Sequence, residues 1–242
     1  MVHMTATGVR AQDIEDGGSE NGFHFSSEFV TEDVWRGGFA GSAAFEPEIS
    51  YTIGGFSIGT WASSPLNYGN DTYNELDFFI EYAVGGVTLT FSDYCWTNGN
   101  DKFEYFGPYK ENHLLEASLG YDFGVGNENV PLSFSVNTIV AGANRKANGD
   151  QGFSTYLEAV YAPSLKKLDM SLTVGAAIEN EEAAMYSKKG GFNFVNIDFG
   201  LSHDFKLRDV ATLTLGANLI CNPTGFEEHG EAYVTGSIGI SF

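Results

Sequence analysis

Alternation with a period of two runs along this chain from Phe23 to its last residue. From Ala232 to Phe242 one face carries Ala232, Val234, Gly236, Ile238, Ile240 and Phe242, and the other carries Tyr233, Thr235, Ser237, Gly239 and Ser241. Farther back, Leu76, Phe78, Ile80 and Tyr82 alternate with Glu75, Asp77 and Glu81, and Leu168, Met170, Leu172 and Val174 with Asp169, Ser171 and Thr173. Strict alternation predicts strands with one apolar and one polar face. The carboxylates keep to the polar face in segment after segment, and the apolar face is almost free of charge. A soluble sandwich would turn its apolar faces inward around a shared core. Here the pattern points to a transmembrane β-barrel, apolar toward lipid and polar toward a lumen. A slip of one residue would present every carboxylate to lipid, so register is strongly fixed.

Twelve strands are predicted, at 22–32, 43–53, 55–64, 73–83, 87–96, 113–123, 130–140, 153–162, 168–178, 191–203, 209–221 and 231–242. Each approaches the length of about ten residues with which a tilted strand crosses a bilayer. Short connections at 54–55, 85–86, 124–129, 163–167 and 204–208 alternate with longer ones at 33–42, 64–72, 97–112, 141–152, 179–190 and 222–230. The expectation is therefore an all-β, closed antiparallel transmembrane barrel with short periplasmic turns and longer extracellular loops. An even strand count sets both termini on the periplasmic side. Tyr51, Tyr82, Tyr121 and Tyr161 recur on the apolar face shortly before short turns, as an interfacial aromatic girdle would. Twelve strands spaced ~4.8 Å apart and tilted by ~40° enclose a backbone radius of roughly 12 Å.

Composition narrows the class. With 242 residues, 30 Gly and 6 Pro, residues 22–242 suit one barrel domain. No apolar run approaches the ~18 residues of a helical span. Residues 1–21 are polar and acidic, and are expected to form a flexible N-terminal segment or processing remnant, with Val9-Arg10-Ala11 resembling the tail of a cleaved signal peptide. A net charge of −20 excludes nucleic acid as a partner, and two cysteines do not make a disulfide scaffold. The expected location is the bacterial outer membrane. Its lipid and lipopolysaccharide are then the surroundings, and an oligomer or larger complex is a further expectation. Phe242, preceded by Ile240 and Ile238, resembles the C-terminal signal read by barrel assembly machinery.

The N-terminal third also carries recognisable text. Ser26-Ser27-Glu28-Phe29-Val30 is followed by Val34-Trp35-Arg36-Gly37, Phe45-Glu46-Pro47 and Gly55-Phe56-Ser57-Ile58-Gly59-Thr60-Trp61. Tyr73-Asn74-Glu75-Leu76-Asp77 and Ser92-Asp93-Tyr94 continue it. Residues 23–96 resemble the TorF-type (Gcw_chp) family of outer-membrane porin-like proteins, especially its Bacteroidetes-like members. The resemblance implies a barrel of a Gram-negative outer membrane and a porin-like role without naming a solute. Cys95 stands where the family pattern carries Tyr.

Glu28, Glu46, Glu48, Glu75, Asp77, Glu81, Glu116, Glu158 and Asp198 fall on predicted inward positions, with Trp61 among them. Symmetric hairpins would set Glu28 opposite Glu48, Glu48 beside Trp61 and Trp61 beside Glu75. Such a wall favours cations through its summed field. Arg36, at the start of the first long loop, is a candidate gate or brace for Glu46 or Glu48. Glu179, Glu181 and Glu182 are weighed as a divalent-ion site and read instead as a solvated loop, since their spacing is not that of a calcium loop. No cofactor and no metal site are expected. His24, Ser26 and Glu28 are the raw material of a hydrolase, but on one strand they span about 13 Å. No catalysis is expected. Cys95 and Cys221 fall too far apart around the ring to bond. The expected function is a porin-like ion channel for transport of small polar, cationic solutes. The alternative is a non-conducting surface barrel acting in adhesion or as a subunit of an outer-membrane complex, which a lumen filled by a loop or by aromatics would favour.

Overall fold

The computed structural model describes residues 21–66, 73–98, 103–127, 130–165, 168–208, 210–224 and 231–242. Of the expected N-terminal segment, 1–21, all but Asn21 lies outside the described residues. The strands are β1 (Gly22–Trp35), β2 (Gly38–Ile53), β3 (Phe56–Pro65), β4 (Tyr73–Val84), β5 (Val87–Asn98), β6 (His113–Asp122), β7 (Leu132–Gly142), β8 (Thr155–Tyr161), β9 (Ser164–Leu165), β10 (Leu168–Glu179), β11 (Gly191–Leu207), β12 (Ala211–Cys221) and β13 (Ala232–Ser241). Among the described residues, β9 is a two-residue piece paired only with β10. The other twelve form an antiparallel ring in chain order, with β8 paired to β10 and β13 to β1. The seam runs from Ser26↔Ser241 to Val30↔Ser237 and is extended by the Phe242 N–H donating to the Phe25 carbonyl at 2.9 Å.

Side-chain alternation explains why this ring is stable in lipid. Each of the twelve strands exposes at least one large apolar side chain, from Phe25 on β1 and Ile80 on β4 to Leu172 on β10 and Ile238 on β13. A continuous apolar exterior of this extent is foreign to a soluble protein and is the lipid-facing band of a transmembrane barrel. Tyr51, Tyr82, Tyr121 and Tyr161 all lie exposed on it toward the short turns. Their rings touch neighbours there, Tyr51 with Phe23 at 4.8 Å and Tyr82 with Phe56 at 4.4 Å. Turns 54–55 and 85–86 are two-residue glycine turns in which both residues have positive φ, the twist-matched form that hairpins favour.

Two features depart from the sequence expectation. The connection expected at 33–42 is a two-residue turn, Arg36–Gly37, because β1 and β2 continue to Trp35 and Gly38. Register there is shifted by two, so that Glu28 opposes Glu46 rather than Glu48. The β3–β4 hairpin is also shifted by two, and Trp61 opposes Asp77 rather than Glu75. Asp93, paired with the outward Phe78, lies on the lipid-facing side. It is covered by the segment before β6, where Tyr105 and Tyr109 donate to it at 2.7 and 2.9 Å, and by the first residue of β6, His113, whose Nδ1 lies at 3.1 Å.

Candidate functional site

The tip of the β1–β2 hairpin turns inward and reaches Glu116 on β6, Tyr186 of the β10–β11 loop and Val195 on β11. The β1–β2 ladder continues to Trp35↔Gly38 through a bulge between Asp33 and Val34, which bends the hairpin. Arg36 (φ 51) and Gly37 (φ 80) then close a turn with two positive φ angles. A Cβ at Gly37 would collide with the Val195 carbonyl of β11, so glycine is what allows the tip to reach that wall. Val34 and Phe39 pack on Ile220 and Tyr233, which anchors the arm against β12 and β13.

Arg36 is the centre of this level. Its Nη1 and Nη2 donate to Glu116 Oε2 and Oε1 on β6 at 2.6 and 2.9 Å, and Nη1 also donates to the Tyr186 hydroxyl at 2.6 Å. The guanidinium carbon lies 4.7 Å from the Trp35 ring centre and 4.5 Å from that of Tyr156. Such a planar cation, bidentate on one side and stacked on the other, uses the full fork of arginine. Glu116 Oε1 further accepts from the Tyr94 hydroxyl at 2.9 Å and from Ser118 Oγ at 3.2 Å. Both partners are nearly enclosed, with side-chain exposures of 11% and 2%.

Tyr186 arrives from the loop between β10 and β11, and Glu179 holds that loop in place. The Glu179 carboxylate accepts the backbone N–H groups of Met185, Tyr186 and Ser187 at 2.6, 2.9 and 3.0 Å, together with the Ser187 hydroxyl at 2.8 Å. Burial pushes the Tyr186 phenol above its ordinary pKa, so it stays protonated at neutral pH. Glu182 accepts from the Ala147 N–H at 3.3 Å. Among the described residues no group of three His, Cys, Asp or Glu side chains could hold a metal ion.

Most of the remaining acidic positions lie on β1, β2 and β4. Glu28 and Glu46 are directly paired across β1 and β2. Trp61 on β3 lies between Glu48 on β2 and Asp77 on β4, and Glu75 lies between Ser63 and Trp96. Glu81 accepts from Thr90 Oγ1 at 3.1 Å near the short-turn end. On the far side Glu158 accepts from the Tyr156 hydroxyl at 2.9 Å, and Asp198 accepts from Asn218 Nδ2 at 3.0 Å on both oxygens. Arg36 therefore pairs with Glu116, not with Glu46 or Glu48 as the sequence suggested. His24 and Ser26 pair with Ser50 and Glu48 in separate rows. Cys95 and Cys221 are both free. Phe242 is 61% exposed at the lipid-facing seam, with Ile240 opposite Ser27 and Ile238 opposite Phe29.

Trp35, Tyr94, Tyr156 and Tyr186 were not singled out from the sequence. A signal was present for two of them, since Tyr94 and Tyr156 stand on polar-face positions where small or charged residues are the rule. Tyr156 has room there because Gly175 faces it: a Cβ at Gly175 would collide with the Tyr156 hydroxyl.

No family model and no curated protein matches the chain. Among solved structures, the KdgM porin aligns with a TM-score of 0.48 at 8% identity, covering 90% of this chain and 98% of that chain. An outer membrane channel from Pseudomonas putida gives 0.47 at 9% identity, with coverages of 91% and 94%. The NanC porin gives 0.46 at 9% identity, with coverages of 91% and 98%. Likenesses at this level carry no argument about solute or mechanism. What decides location is the closed ring with its lipid-facing exterior. The protein is an outer-membrane β-barrel.

Proposed function

We propose that the barrel is a porin-like channel for small cationic solutes, with the wall of Glu28, Glu46, Glu48, Glu75 and Asp77 as its selectivity surface. The observation that carries this reading is the placement of Arg36. The guanidinium that enters the lumen is bound to Glu116, so it does not compensate the carboxylates of β1, β2 and β4. Acidic walls in a low-dielectric enclosure concentrate cations and repel anions. The resemblance of residues 23–96 to the TorF-type family fits the same role, and we propose membership on those residues. The hairpin tip is then a closure that must shift for solutes to pass.

A second reading is favoured by the plug itself. Trp35, Tyr94, Tyr156 and Tyr186 crowd around Arg36 at one level, as a non-conducting surface barrel would also require. Planar-bilayer recording under a salt gradient separates the two. Cation-selective conductance supports the channel. Silence in both the native protein and a variant with a loosened hairpin supports the surface barrel.

A further inference from the structure

We propose that the inner wall formed by β2, β3 and β4 is a binding site for an organic cation, an ammonium or guanidinium group on an apolar body. The proposal deepens the channel reading, because it assumes that solutes reach this wall. Two inward residues of β3, Trp61 and Ser63, make a stripe flanked by carboxylates on both sides. Trp61 is paired with Glu48 on one side and Asp77 on the other. Ser63 is paired with Glu75, and the same register sets Glu46 across from it on β2. Carboxylates thus face each other across a stripe whose upper residue is a small hydroxyl and whose lower residue is an indole.

The second observation is the state of Glu46. It is 3% exposed, and neither of its carboxylate oxygens has a hydrogen-bond partner. Its electrostatic neighbours include Glu28, Asp33 and Glu75, all of the same sign. A buried carboxylate without a donor is costly, and crowding by like charges adds to the cost. A cationic ligand with N–H donors supplies what is missing.

The ligand class follows from the spacing. Strands lie ~4.8 Å apart, so the flanking acids are set two spacings from each other across β3. Among the described residues no three acidic, His or Cys side chains could hold a metal ion. Trp61 is 4% exposed and Asp77 is fully buried, so a larger cation must displace the groups packed over this wall. It then spans the stripe, places N–H groups on acids of both sides and lays its body on the Trp61 ring, where cation–π attraction adds to the ion pair.

Isothermal titration of the full refolded chain in detergent with 1,4-diaminobutane, at low salt and neutral pH, tests this. Saturable binding is expected, weakened at least ten-fold by Glu46→Gln and by Trp61→Leu, with circular dichroism and heat-modifiability unchanged. Glu48→Gln serves if either variant fails to fold and is expected to weaken binding likewise. The control is Asp204→Asn on β11, an exposed acid near the short turns that accepts from Thr214 Oγ1 at 2.7 Å. A loss there equal to that of Glu46→Gln would overturn the site, because the binding would then be diffuse. Absence of saturable binding, or displacement of the amine by Mg²⁺ with the same dependence on Glu46, would also overturn it. A barrel that binds the diamine but never conducts keeps the site and rejects the channel. Cation-selective conductance without diamine binding does the reverse.

Discussion

Arg36 and Glu116 are 80 residues apart in sequence and bound by two hydrogen bonds inside the lumen. The pair locks the first hairpin to the β6 wall. Removing one partner leaves the other charge buried and unpaired, which costs about 3–5 kcal/mol. Arg36→Met is expected to lower the urea midpoint of the folded barrel, and Glu116→Leu to do the same. The double variant should recover part of the loss, because neither charge is then stranded. A double-mutant cycle in lipid vesicles measures this coupling.

Gly37 is the point at which the arm meets β11. An alanine there carries an unfavourable positive φ and a clash with the Val195 carbonyl. Gly37→Ala is expected to push the tip away from that wall while the ring stays closed. The readout is larger or more frequent single-channel openings, with heat-modifiability retained.

Glu179 anchors the loop that delivers Tyr186. Hydrogen bonds to a charged acceptor contribute about 1.5–3 kcal/mol each, and Glu179→Gln weakens all four. Trypsin cleavage after Lys188 or Lys189 is expected to accelerate several-fold in this variant, measured by mass spectrometry on intact vesicles.

The cover over Asp93 has a predictable pH limit. Burial, and then the Asp93 carboxylate, hold the Tyr105 and Tyr109 phenols above their ordinary pKa. A raised pKa contributes stability that is complete below the unfolded value, near 10, and is lost as pH rises through the folded value. These two tyrosines are expected to stay protonated at pH 10, when exposed phenols ionise. Absorbance titration at 295 nm, compared with a Tyr105→Phe plus Tyr109→Phe variant, reads them directly.

Phe242 tests assembly rather than stability. A charge near the membrane interface costs only about 0–1 kcal/mol, too little to unfold the ring. Phe242→Glu is nevertheless expected to reduce folded protein in cells severalfold, while refolding in vitro proceeds. Equal cellular yield would argue against an assembly signal in the last strand.

The strands were legible because lipid and lumen impose opposite chemistry on alternate residues. Thus β4 and β10 were expected at 73–83 and 168–178 and are found at Tyr73–Val84 and Leu168–Glu179. The first hairpin was not legible beyond Glu32. Val34 to Phe39 are enclosed by protein rather than set between lipid and lumen, so their alternation carries no facing signal, and the bulge after Asp33 shifts the register by one more residue. The partner of Arg36 was unreadable for the same reason, since the inward bend that carries it to β6 depends on Gly37 and Val195 meeting in space.

The reversal potential of the native barrel in a planar bilayer, under a ten-fold salt gradient centred near 0.1 M, tests the central claim most directly. At that ionic strength the carboxylate field extends roughly 10 Å, comparable with the radius of the ring. The expected result is a potential of the sign for cations, reduced by Glu48→Gln with Glu75→Gln and weakened as salt is raised. A reversal potential at zero or of the sign for anions, in a barrel that conducts, would contradict the account.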